Sequence, residues 1–147
     1  MANDRRLSIS LREEPALQAT RVALGKNRLV YALVVNRRFK YARGKSKVAY
    51  IGTTRVGAKR VAHSVALKAD DILQLRGVRS MTARIITCRP RQRVKTWLKL
   101  ERALLIVFKE TYGAVPRCNS HGKKMKARDE FEYFARARVR AVLEELA

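Results

Sequence analysis

Residues 27–36, NRLVYALVVN, contain an unbroken apolar run of strand length at 29–35, and this run decides the fold. An apolar run rich in Val and Leu is typical of a central strand that is buried on both faces. Residues 47–54, KVAYIGTT, predict a second strand, and residues 81–88, MTARIITC, predict a third that ends before Pro90. The basic, turn-rich segment 36–47 predicts a hairpin loop between the first two strands.

Helical patterns surround these strands. Residues 56–76 predict one helix, and residues 93–113, RVKTWLKLERALLIVFKETYG, carry the strongest helical pattern of the chain and end in glycine. Residues 127–146 predict a last amphipathic helix. Near the N-terminus, residues 6–11 predict a short strand, and residues 13–25, with acids and a proline at their start, predict a helix.

The order strand, strand, helix, strand, helix predicts an α+β fold with a small antiparallel three-stranded sheet flanked by helices. A chain of 147 residues suffices for one ordinary domain. We expect an N-terminal extension at 1–28, a core at 29–122 and a C-terminal helix within 123–147. That helix is expected to cap the core or to contact a second copy or another partner.

The charge of the chain is strongly positive, with 34 Lys and Arg against 12 Asp and Glu and a net charge of +22. Such an excess repels itself unless a polyanion is bound, and nucleic acid is the partner that this composition favours. Bases alternate with apolar residues through the middle of the chain, so the basic surface is expected on the folded domain. The acids between Arg21 and Arg128 are Asp70, Asp71, Glu101 and Glu110.

The predicted hairpin loop is itself rich in bases, namely Arg37, Arg38, Lys40, Arg43, Lys45 and Lys47. We expect these side chains to enter a groove of DNA or to follow its backbone. For Phe39 and Tyr41 two interpretations are open: stacking on bases, or packing within the hairpin.

Two cysteines, Cys88 and Cys118, are too few for a disulfide framework, so reduced thiols and a cytoplasmic location are expected. The spacing of Cys118 and His121 is one that zinc uses, but no CxxC pair accompanies it. No apolar run approaches the roughly 18–20 residues of a membrane span, and residues 1–10 lack the apolar core of a signal peptide. Neither membrane insertion nor export is expected.

Glu101 is the most informative single residue. Within the strongest predicted helix it shares a face with the apolar residues Trp97, Leu104, Leu105 and Phe108, and that face is expected to pack on the sheet. A carboxylate there is costly unless it is paired. One interpretation is a structural salt bridge with an arginine. The other is a ligand of Mg²⁺, which takes carboxylate, phosphate and water oxygens.

Four other residues have a structural and a chemical interpretation. Arg60 is either a solvated base or a clamp for a phosphate and its transition-state charge. Tyr31 and Tyr50, in the two hairpin strands, either pack as ordinary strand aromatics or orient or deprotonate a water. His63, about one turn after Arg60, is either a surface residue or a general base.

Together these residues resemble the GIY-YIG nuclease family. At 29–31 the Gly-Ile-Tyr of that family is replaced by Leu-Val-Tyr, which keeps only the tyrosine, whereas Tyr-Ile-Gly at 50–52 is intact. Arg60 falls at the family's usual interval after the second tyrosine. Glu101 lies in a helix after the third strand, as the family's metal ligand does, and Asn119 follows as its terminal asparagine does. The resemblance extends over 29–122.

The resemblance implies a DNA endonuclease that hydrolyses phosphodiester bonds with Mg²⁺ or Mn²⁺. Tyr31 or Tyr50 would position or activate the attacking water, and Arg60 would contact the scissile phosphate. Glu101 would hold the metal ion, whose charge stabilises the phosphorane-like state. Asn119 would brace the site by hydrogen bonding.

Five further residues are predicted around this site. His63 lies near a histidine of some family members, although the interval differs. Gly52 would let the backbone approach the substrate closely. Thr53 is expected to donate a hydrogen bond to phosphate, and Arg55 and Lys59 are expected to bind the substrate.

A second hypothesis is a non-catalytic basic protein that binds nucleic acid in a ribosome-associated or architectural role. Charge supports both hypotheses equally. Glu101 separates them, because a protein that only binds nucleic acid has no need of an inward carboxylate among apolar neighbours.

Overall fold

The structure, a computed structural model, describes residues 6–22, 25–120 and 131–147. Within them three strands form one antiparallel sheet in the order β2-β1-β3, and helices lie on both faces of it. This confirms the α+β class and the three-stranded antiparallel sheet. The elements are β1 (Leu29–Lys40), β2 (Lys45–Thr54), α1 (Ala58–Leu73), β3 (Met81–Ile86), α2 (Thr96–Tyr112) and α3 (Arg136–Leu146).

The central strand β1 is buried on both faces, as its composition predicts. Leu29, Tyr31 and Leu33 pack towards α1, whereas Val30 and Ala32 pack towards α2 and α3. Consecutive residues of a strand point to opposite faces, so a run without polar residues supplies two cores at once. Each fully buried Leu or Val side chain contributes about 1.5–3 kcal/mol to stability.

The hairpin between β1 and β2 is tighter than predicted. Most of segment 36–47 belongs to the two strands, and only residues 41–44 form the turn, with Gly44 at a φ of 74°. Phe39 is buried, and the hydroxyl of Tyr41 donates to the carbonyl of Val48 at 2.7 Å. Both aromatic residues therefore pack within the hairpin, which decides between the two interpretations open for them.

Two bases of this hairpin hold the ends of helices. The guanidinium of Arg37 donates to the carbonyl of Arg76, just after α1, at 2.6 Å, and that of Arg43 donates to the carbonyl of Glu110 in the last turn of α2 at 2.7 Å. The last carbonyls of a helix have no partner within it and carry partial negative charge, so cations stabilise them.

Helix α2 runs from residue 96 to 112, inside the predicted 93–113. It starts late because Arg93 adopts a left-handed φ of 62° and residues 91 and 94 pair in a small bridge. At its end Gly113 adopts a φ of 83°, which glycine reaches without steric cost. The face predicted to pack on the sheet is buried, including Trp97, Leu104 and Phe108.

The N-terminal prediction is wrong. Residues 6–22 contain neither the short strand expected at 6–11 nor, as far as they are described, the helix expected at 13–25. The large apolar side chains there, Leu7, Ile9, Leu11 and Leu17, are at least 84% exposed. Most helical stability in proteins comes from packing an apolar face, and these residues have no surface to pack on.

The C-terminal helix α3 is shorter than the predicted 127–146. Residues 131–134 form turns and bends, and 121–130 lie outside the described residues. Its buried residues Val139, Leu143 and Leu146 join the core formed by α2 and the sheet. The helix thus packs on the core. Among the described helices none is both long and apolar enough to cross a membrane.

Candidate active site

Tyr31 and Tyr50 lie together on the α1 face of the hairpin. Tyr31 is opposite Gly52 and Leu33 is opposite Tyr50, so the two tyrosines are diagonal neighbours with ring centroids 5.9 Å apart. A Cβ atom at Gly52 would lie 2.8 Å from the Oη of Tyr31 and 2.6 Å from Cε1 of Tyr50. The glycine of the Tyr-Ile-Gly motif therefore makes room for the two phenols. The space expected for a close approach of substrate is filled by the rings.

Helix α1 adds two side chains that the sequence analysis missed. The hydroxyls of Ser64 and Tyr31 are 2.6 Å apart, and Nζ of Lys68 lies 4.1 Å from the ring centroid of Tyr50. Ser64 and Lys68 come four and eight residues after Arg60, so the three positions share one side of the helix. The spacing of four residues between Arg60, Ser64 and Lys68 could have identified these two side chains from the sequence.

The phenol of Tyr50 is held in its neutral form. Its pKa is raised to about 12, mainly by burial, with smaller effects in the same direction from the neighbouring phenol of Tyr31 and the charge of Glu101. At neutral pH Tyr50 is therefore a protonated hydrogen-bond donor and acceptor. It is suited to orienting a water or a phosphate oxygen, whereas a phenolate base is strongly disfavoured.

Glu101 is buried in the middle of α2, with 4% of its surface exposed. It is the one charged residue among the buried residues of the described chain. Helix α2 packs on the sheet face opposite to Tyr31, and the charge of Glu101 nevertheless acts on the phenol of Tyr50. This effect on Tyr50 is smaller than those of burial and of the Tyr31 phenol.

Asn119 fixes the outer edge of β2 beside the two tyrosines. Its side-chain oxygen accepts from the backbone N–H of Ile51 at 3.0 Å, and its amide donates to the carbonyl of Ile51 at 2.9 Å. The N–H of Cys118 donates to the carbonyl of Ala49 at 2.8 Å. Because β2 is an outer strand of the sheet, these bonds satisfy backbone groups that β1 cannot reach. Asn119 holds the strand that carries Tyr50.

The remaining predicted residues lie on α1, just before it, or in β2. Arg60 and His63 are exposed on α1, and Arg55 and Lys59 are exposed near its start. Thr53 is half-buried, and the alternation of β2 places it on the sheet face opposite to Gly52. None of these five side chains forms a hydrogen bond or an ion pair with another described residue.

A cation at this site would have Glu101 as its protein ligand. In the described part of the chain no three His, Cys, Asp or Glu side chains lie close enough together to hold a metal ion. One carboxylate completed by phosphate and water oxygens is a shell that Mg²⁺ accepts, so the donor set fits Mg²⁺ or Mn²⁺.

A zinc site at Cys118 and His121 gains no support. His121 lies outside the described residues. Cys118 is a free, half-buried cysteine, and burial raises the pKa of its thiol, which opposes the thiolate that zinc requires.

Comparison of the chain with protein-family models, with curated proteins and with solved structures finds no match.

Proposed function

We propose that this protein is a divalent-metal-dependent endonuclease that hydrolyses phosphodiester bonds of DNA, with a GIY-YIG-like core at 29–122. The carrying observation is the phenol pair Tyr31 and Tyr50, packed over Gly52, in a chain whose helix α2 buries the carboxylate of Glu101. The net charge of +22 supports a polyanionic substrate. The free cysteines accord with a cytoplasmic setting.

In this proposal the chain supplies positioning and electrostatics. The neutral hydroxyl of Tyr50 orients the attacking water, and Tyr31 is fixed for the same purpose by its hydrogen bond to Ser64. Arg60 and Lys68, on one side of α1, attract the scissile phosphate and stabilise its growing charge. His63, which is exposed on α1, would accept or deliver a proton.

Glu101 would hold Mg²⁺ or Mn²⁺, which when bound supplies positive charge to the pentavalent phosphorus and to the leaving oxygen. Around it, Asn119 keeps the end of β2 in place, and Gly52 keeps the phenols close to the backbone. In this proposal the side chain of Asn119 and the absence of a Cβ atom at Gly52 act before substrate binds.

The test is nicking of a supercoiled plasmid with Mg²⁺, with Mn²⁺ and with a chelator. Glu101→Gln keeps the size of the side chain and removes its charge, and we expect it to abolish nicking while DNA binding persists. Glu144→Gln, an exposed acid of α3, is the matched control and should nick like the wild type. Circular dichroism and thermal unfolding of each variant establish that it is folded.

Retained nicking in folded Glu101→Gln would remove the metal-ligand role. Absence of nicking by the wild type in either metal, with tight DNA binding, would favour the second hypothesis of a non-catalytic protein that binds nucleic acid.

A further inference from the structure

A cavity of about 340 Å³ opens beside the first turn of α2. The segment before β1, the segment after β3 and the start of α2 meet around it. Its charged lining residues are Lys26, Arg28 and Arg91, and no acid lines it in the described part of the chain. The volume lies in the range of pockets that bind small ligands, and the lining selects anions.

The start of α2 adds to this positive potential. The helix has 17 residues, and the residue before its first turn, Lys95, makes no side-chain capping bond. Of the first four backbone N–H groups of α2, those of Thr96, Leu98 and Lys99 already donate to the carbonyls of Val94 and Lys95. The dipole of the helix still gives this end partial positive charge, which favours phosphate.

Trp97 supplies an independent sign that a ligand belongs here. The residue lines the cavity, is 5% exposed, and its Nε1–H has no hydrogen-bond partner among the described residues. Buried donors are nearly always paired, so one without an acceptor requires an explanation. The guanidinium of Arg28 lies 4.5 Å from the centroid of the indole ring, so a cation and a donor meet at one wall.

The cavity also lies about one helical turn from Glu101. Trp97 and Glu101 are four residues apart on α2, and four residues of an α-helix rise by about 6 Å. Adjacent phosphates along one nucleic-acid strand are spaced on the same scale. A strand whose scissile phosphate reaches Glu101 therefore brings a neighbouring nucleotide to the cavity.

We propose that this cavity binds a phosphate-bearing nucleotide of the DNA strand, next to the nucleotide that is cleaved. The phosphate contacts Arg28, Arg91 and the first turn of α2, and it offers the acceptor that the indole N–H lacks. The sugar or base packs against the indole and Pro90. The proposal rests on the proposed function in taking DNA as the ligand and Glu101 as the place of cleavage.

The experiment uses the full chain carrying Glu101→Gln, in chelator, so that binding is measured without cleavage. Trp97 is the only tryptophan, so its emission reports on the cavity directly. Saturation with a short single-stranded DNA oligonucleotide should shift that emission. Inorganic phosphate at the same concentration should not, and an equal response to it would overturn the assignment to DNA.

Two double variants with equal loss of charge locate the site. Arg28→Ala with Arg91→Ala should raise the dissociation constant of the oligonucleotide about tenfold or more, because hydrogen bonds to charged groups are lost. Arg138→Ala with Arg140→Ala, on the exposed side of α3, should raise it about threefold at most. If the first double variant fails to fold, Arg91→Ala alone replaces it, because Arg91 is exposed. Arg91→Ala should then raise the dissociation constant of the oligonucleotide more than Arg140→Ala alone does.

Equal losses in the two double variants, or unchanged Trp97 emission at saturation, would overturn the proposal. These outcomes are distinct from failure of the proposed function. If the wild type shows the emission shift but does not nick DNA, the nucleotide site in the cavity stands and the nuclease proposal fails. If it nicks DNA without the shift, the nuclease proposal stands and the nucleotide site fails.

Discussion

Gly52 shows how one residue controls the candidate site. The rings of Tyr31 and Tyr50 occupy the volume in which any other side chain would begin. We expect Gly52→Ala to force the rings apart and to lower the free energy of unfolding by about 1–3 kcal/mol, the usual cost of overpacking. Chemical denaturation measures that loss, and nicking activity should fall with it. Stability equal to the wild type would show that the rings move freely and that their packing is not fixed by the glycine.

The raised pKa of Tyr50 makes a prediction about alkaline pH. Its folded-state pKa of about 12 exceeds the ordinary value of 10.0, so the folded protein holds the proton more tightly than the unfolded chain. The resulting stability is complete below pH 10 and is lost as the pH rises through the interval from 10 to about 12. Tyr41, whose pKa burial also raises to about 12, contributes in the same interval.

Replacing both tyrosines separates their contribution from that of lysines, which titrate in the same range. In Tyr41→Phe with Tyr50→Phe, the fall in unfolding free energy between pH 10 and 12 should be shallower than in the wild type. Denaturant titrations at a series of pH values measure it. Parallel curves for the two proteins would contradict the pKa shifts.

At the level of elements, the edge of β2 depends on one side chain outside the sheet. Asn119→Ala removes two hydrogen bonds to Ile51, and we expect a loss of about 1–3 kcal/mol in unfolding free energy. The backbone amide of Ile51 should exchange faster with solvent, and nicking should weaken.

Asn36→Ala is the control for that variant. Its side-chain oxygen accepts from the backbone N–H groups of Arg79 and Ser80, and its amide donates to the carbonyl of Gly77 at 3.5 Å, so it loses three bonds, but far from the tyrosines. Exchange at Ile51 and nicking should be unchanged in it. If both variants accelerate exchange at Ile51 equally, the effect of Asn119 is general destabilisation.

Local sequence patterns predict the strands and helices of the core well, because these elements bury the apolar residues that form the patterns. The apolar residues 29–35 lie within β1, and the helical face with Trp97 and Phe108 packs on the sheet. The N-terminal helix could not be judged in this way, because its existence depends on a packing surface that the sequence does not show. Ser64 and Lys68 were missed for a related reason: their contacts arise only when α1 docks on the hairpin.

At the level of the whole molecule, the excess of positive charge governs how the protein meets DNA. Binding to a polyanion releases counterions, so the logarithm of the affinity should fall linearly with the logarithm of the salt concentration. The slope, divided by about 0.9, gives the number of phosphates neutralised on duplex DNA. Titrations at several salt concentrations measure it, and an affinity that does not change with salt would contradict a phosphate-based interface.

The exposed segment 6–22 has a consequence for calorimetry. Its large apolar side chains are in water in the folded protein and remain there on unfolding. Heat capacity rises on unfolding because apolar surface becomes hydrated, and a buried stretch of this length would contribute about 0.2 kcal/mol per K. This segment contributes almost nothing, so a protein lacking residues 6–20 should unfold with the same heat-capacity change as the full chain.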